Sequence, residues 1–284
     1  MAWIGSAFIL LLIRVFGRVA AIEDVEWLVG PVGGPHIGDR PYEECARREG
    51  LVMRRDDDTA GLLDDFEALR APDFEPARVD PRVRHFYEHT ATYRIDLWAR
   101  TWFPANVALW LLVTTISRKV DQLNFPLDAL EAARGMDSEI VSLREPSGKL
   151  RYAGWYRRSV ATGRSIYTGF YTTAIAPIAG RPCVKVVFPM PDGSATVVLT
   201  PSTNERGDLE LSSSGRGFGD AGFYRLQRRG ERHLRIWRVS TLREHFRVFV
   251  DSDGTLRCDH RVRFLGMPVL HLHYRMERKT VGRA

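Results

Sequence analysis

Cysteine, lysine and long apolar runs are scarce in this chain of 284 residues, and each scarcity closes off a class of protein. Cys45, Cys183 and Cys258 are odd in number, far apart and without CxxC spacing. That pattern argues against a disulfide framework or a structural zinc site and leaves reduced thiols as the default. Lysine occurs only at Lys119, Lys149, Lys185 and Lys279, so arginine carries most of the 41 basic charges. Against 35 acids the formal net charge is +6, and no basic run interleaved with aromatics gathers it into a nucleic-acid footprint. Nucleic acid is therefore not expected as a partner. No GxSxG elbow is present either, and a hydrolase triad has no anchor.

A spanning helix needs about 20 apolar residues. Residues 1–22 come nearest: Ala2 to Ile13 is apolar, Arg14 interrupts, and Arg18 precedes Val19 to Ile22. This hydrophobic N-terminal helix reads as a membrane anchor or interfacial helix, as a buried amphipathic helix, or as a signal cleaved near Val19-Ala20-Ala21. A second greasy stretch, Val107 to Ile116, is flanked by Trp102 and Arg118, but its length suits a core helix.

Residues 23–80 read as an irregular or helical linker, with four glycines and three prolines between Gly30 and Tyr42. The acidic patch Asp56, Asp57, Asp58, Asp64 and Asp65 lacks the glycine turn and distal glutamate of a calcium loop, and reads as a solvated helix start. Helical character is then predicted for 81–134. Asp80 can cap, Pro81 suits the first helical position, and Val83, Tyr87, Ala91, Ile95 and Trp98 fall on one stripe, giving a helix from Pro81 to about Arg100. Further helices are expected over Ala105–Val120 and Pro126–Arg134.

From 135 to 279 the period changes to two. Short alternating segments run from Ser138–Arg144 to Val269–Arg275, separated by turns such as Ser147-Gly148, Asp192-Gly193 and Asp253-Gly254. Short links make antiparallel neighbours, and so many strands must hide their edges. The fold class is α+β: N-terminal helices followed by a largely antiparallel β-barrel or strongly curled β-sheet of lipocalin-like architecture.

Alternation sorts the histidines. His260 shares a face with Leu256, Cys258 and Val262, pointing inward, whereas His271 and His273 oppose Leu270, Leu272 and Tyr274 and point outward. The spacing His271, His273, Glu277 matches a first cupin motif without its second half, and no metal is expected. His85, Glu88 and His89 spell an inverzincin HxxEH and read as surface or capping residues. Gly217, Gly219 and Gly222 spell GxGxxG, but strand rather than helix follows, so a glycine-rich bend is expected instead of a dinucleotide loop.

These readings point to a binding protein for a hydrophobic or lipid-like molecule at the membrane surface, facing the cytoplasm and using no cofactor. The candidate ligand-binding residues are His260, Tyr152, Trp155, Tyr171, Tyr224, Arg225 and Asp220. The aromatics would supply walls with polar tips. The alternatives are a cofactor-independent cyclase or isomerase with His260 as acid/base, and a structural membrane-associated protein without a ligand.

Overall fold

The structure, a computed structural model, describes residues 12–34, 37–55, 57–102, 136–160 and 162–279. Among these, strands predominate: β1 (Arg18–Ala21), β2 (Val52–Arg54), β3 (Tyr93–Thr101), β4 (Met136–Arg144), β5 (Leu150–Ser159), β6 (Ser165–Ala176) and β7 (Arg181–Met190). They continue with β8 (Gly193–Thr203), β9 (Leu209–Ser212), β10 (Gly222–Arg229), β11 (His233–Arg238), β12 (Leu242–Val250), β13 (Leu256–Phe264) and β14 (Met267–Arg278). α-Helices α1 (Arg40–Glu49) and α2 (Pro81–Glu88) accompany them, besides a helical stretch at residues 12–16.

The strands pair antiparallel in the order β2-β4-β5-β6-β7-β8-β9-β12-β13-β14-β3. At β8 the sheet forks: Thr200–Thr203 pair with β9, while Gly193–Val198 pair with β10, which carries β11 and β1. Among the described residues β2 and β3 do not pair with each other, so the sheet is open. It is nonetheless strongly curled. Ile95 and Leu97 of β3 share one apolar cluster with Ile140 of β4 and Trp155 of β5, although the order puts them near opposite ends.

The curl gives the sheet an inside, lined by that cluster, and an outside covered in two places. On β4 to β7, α1 sets Tyr42 and Cys45 against Val141, Tyr152, Phe170 and Val187. Beside it, Val25 and Leu28 cover Val198, Tyr224 and Ile236. α2 begins as its sequence dictates, with the Asp80 carboxylate accepting from the Arg82 N–H.

The helices depart from the sequence expectations in several places. The helix expected from Pro81 to Arg100 stops at Glu88, and Tyr93–Thr101 is a strand along β14. The segment also carries a two-residue alternation, Tyr93, Ile95 and Leu97 buried against Arg94 and Trp98 exposed, and the free edge of β14 selects it. The N-terminal helix is not continuous through residue 22: residues 12–16 are helical, but Arg18–Ala21 pairs with β11. Of the acidic patch, Asp65 does start a helix, though only the short 3-10 helix Phe66–Leu69, which it caps by accepting from the Glu67 N–H, while Asp64 engages Arg144. The helices expected at 105–120 and 126–134 lie outside the described residues.

Candidate ligand-binding site

β5 is buried on both sides. Tyr152, Gly154 and Tyr156 face α1, and the intervening Trp155 and Arg157 face the inside of the curl. The register then assembles a site around Arg157. It pairs Arg157 with Tyr167 of β6 and Trp155 with Gly169, where an added Cβ would lie 2.7 Å from the Tyr167 ring. From the far side of the curl come Tyr274 and Cys258, which are cross-strand partners.

Arg157 is 3 % exposed. Its guanidinium carbon lies 3.7 Å from the Trp155 ring centroid, 5.1 Å from that of Tyr167 and 5.3 Å from that of Tyr274. Tyr167 donates to the Tyr171 hydroxyl at 3.0 Å, and the Trp155 indole donates to Ser138 Oγ at 2.8 Å. Burial pushes the Tyr171 phenol up to about 12 against the pull of Arg157, and raises Tyr167, Tyr274 and the Cys258 thiol as well. All four are therefore neutral at physiological pH, and none serves as counter-ion. Arg157 Nε is buried without a hydrogen-bond partner, and among the described residues the guanidinium has no ion pair.

His260 points inward, as alternation predicts, and stacks on Phe246 with ring centroids 3.8 Å apart. Its Nε2 lies 2.9 Å from Glu244 Oε2, with both side chains largely buried. Glu244 shares its side of β12 with Phe246 and Val248, which pack in the interior cluster with Tyr171, so this pair belongs to the same interior face.

Of the candidate residues, Trp155, Tyr171 and His260 thus share the interior. The structure does not bring the other four to it. Tyr152 lies on the opposite face of β5 against Phe170. Tyr224 packs edge-on to Trp27 and donates to the Asp220 carbonyl at 2.6 Å. The Asp220 carboxylate accepts from the Arg216 and Ala221 N–H groups, which holds the glycine-rich bend. Arg225 donates to the carbonyls of Ser194 and Leu226, and burial lowers its pKa to about 10. Arg157 itself is absent from the sequence-derived set. At the end of β5, next to Arg158, it looks like strand-end polarity; its place on the Trp155 side was the available signal.

The remaining motifs are occupied structurally. His85 Nδ1 meets the Tyr93 hydroxyl, His89 Nδ1 meets the Thr59 carbonyl, and Glu88 accepts from the Phe66 N–H. On the outer face Asp259 Oδ1 lies 3.1 Å from His271 Nε2 and 2.8 Å from His273 Nδ1. Among the described residues no cluster fit to hold a metal is found, and no helix is long and apolar enough to cross a membrane.

No family model and no solved structure matches the chain. It is similar to the uncharacterized membrane protein YndJ of Bacillus subtilis (strain 168), 28 % identical over 221 residues, which are 76 % of this chain and 38 % of that protein. The chain thus spans well under half the length of this curated relative.

Proposed function

We propose that this chain is a membrane-associated binding protein for an amphipathic molecule with an anionic group, received inside the curled sheet in a lipocalin-like manner. One observation carries the reading: Arg157 is buried among neutral aromatics with its Nε unpaired. Desolvating an ion costs several kcal/mol, of which a desolvated cation–π contact returns about 2 kcal/mol. An anionic group on a ligand supplies the missing partner, and Trp155, Tyr167 and Tyr171 give its apolar part contact area. The relative's membrane designation supports the location, and three free, buried thiols suit a cytoplasmic face.

Native mass spectrometry of the full chain, extracted in mild detergent, tests the reading. The expected result is an acidic amphipathic adduct on the wild type that Arg157→Met loses. The same adduct on Arg157→Met, or bare wild type in repeated preparations, would overturn it. Because Arg157→Met removes a desolvated charge that its ring contacts offset only in part, ligand-free stability should rise, by about 1–4 kcal/mol.

A second reading rests on the His260–Glu244 pair, an imidazole oriented by a carboxylate on the same interior face. That is the arrangement of a general acid/base, and it would make the bound molecule a substrate for proton transfer. His260→Asn should then abolish conversion of the identified ligand while leaving its adduct in place.

A further inference from the structure

The turn joining β13 to β14 breaks two rules at once. Leu265 and Gly266 form a two-residue hairpin loop with φ of 51° and 80°, a conformation that favours Asn-Gly and that a leucine adopts at a cost. The same leucine is 63 % exposed, with Met267 at 57 % and Phe264 at 42 % beside it. Strained and wet, an apolar tip of this kind is unfavourable in water by both criteria.

Next to the tip lies a cleft of about 190 Å³ lined by Ser213, Arg216, Arg238, Ser240 and Arg243, with no carboxylate in its wall. The two are joined directly: the Leu265 N–H donates to the Thr241 carbonyl, and Leu242 pairs with Phe264. Arg238 Nε is buried there without a partner while its Nη2 holds the Gly215 carbonyl at 2.6 Å. Arg243 faces Arg263 directly across the strands, a like-charge pair that is repulsive unless an anion sits near it. Among the described residues none of Arg216, Arg238, Arg243 and Arg263 makes an ion pair.

We infer that this rim docks on an anionic phospholipid bilayer, with Phe264, Leu265 and Met267 entering the acyl boundary and the arginine cleft receiving a headgroup phosphate. An apolar wedge collared by arginines is complementary to that surface and to neither water nor a neutral bilayer. The inference takes the membrane association proposed above and gives it a place; the interior ligand does not enter it.

The test reads the tip alone, so that attachment through other segments does not interfere. Met267→Cys in the full chain is labelled with an environment-sensitive fluorophore, the three native thiols being buried. A parallel label is placed at Ser252→Cys, in the turn at the opposite end of β12. Phosphatidylcholine vesicles containing phosphatidylglycerol should blue-shift the Met267 label and leave the Ser252 label unchanged. Arg243→Gln should weaken the response about fivefold. Leu265→Asn, or Leu265→Gly as a second variant, should abolish the shift while raising the melting temperature. Overturning results are no shift, an equal shift on pure phosphatidylcholine, or a shift that survives both Leu265 variants. Arg157→Met should keep the shift, so loss of the interior ligand and loss of docking are told apart.

Discussion

Lys185 and Arg157 are both buried in the sheet, and they meet the cost of burial differently. Lys185 sits on the outer side of β7, 5 % exposed, and donates to the Val29 carbonyl at 2.9 Å. Burial lowers its pKa to about 8 from an ordinary 10.5. Between those values the unfolded lysine is still protonated when the folded one has become neutral, so its contribution to stability rises with pH across that window. Below about 8 both states are protonated and the penalty is constant. The buried thiols act in the opposite sense, because burial raises Cys45 to about 12 and Cys183 and Cys258 above their ordinary range. The readout is therefore the difference between wild type and Lys185→Met in urea melts. The variant should be more stable by about 1–2 kcal/mol at pH 7, with the gap closing towards pH 10. A gap independent of pH would refute the assignment. Arg157 has no such exit, since arginine does not lose its proton in proteins. This is also why it escaped sequence reading: a single arginine does not reveal whether it is strand-end polarity or a desolvated charge until its cross-strand partners are known.

At the scale of elements, most strands were legible and the edges were not. Segments from Ser138 to Arg275 show alternation bounded by glycine turns, and β4 to β14 follow those signals closely. Their cause is local. β3 reads as helix because its residues satisfy two periods, and only the unpaired edge of β14, far away in sequence, decides between them. Tyr152 is chemically like Trp155, but their odd separation along one strand puts them on opposite faces. The docking of α1 was invisible for a similar reason. Tyr42 is fully buried with its ring over Gly154, where an added Cβ would come within 2.4 Å of the ring. Gly154→Ala should therefore cost about 1–3 kcal/mol in denaturant melts. Adding Tyr42→Leu should recover part of that loss, because the two residues share one contact and their effects cannot be additive. Full additivity would mean that α1 does not seat on Gly154.

Over the whole molecule, the fork at β8 divides the sheet into parts held unequally. β6, β7 and the first half of β8 are paired on both edges and covered on both faces, by the interior cluster on one and by α1 or the Val25–Leu28 segment on the other. β11 has a different position: its partners are β10 and the four residues of β1, and its buried side depends on Val25 and Leu28. Local opening follows such differences in contact and pairing. Native-state hydrogen exchange should find β1 and β11 opening at a lower free energy than β6 to β8, with the amides of β6 to β8 exchanging only on global unfolding. Leu28→Ala, which removes a fully buried side chain from that branch, should cost about 2–5 kcal/mol. If the branch is an independent unit, the loss should appear first as faster exchange in β10 and β11, with slower or no change in β6. Equal acceleration throughout would show that the fork is only topological and that the sheet unfolds as one body. Since Arg238 and the cleft beside the Leu265 tip stand at the end of β11, the same experiment with anionic vesicles should slow exchange in this branch selectively.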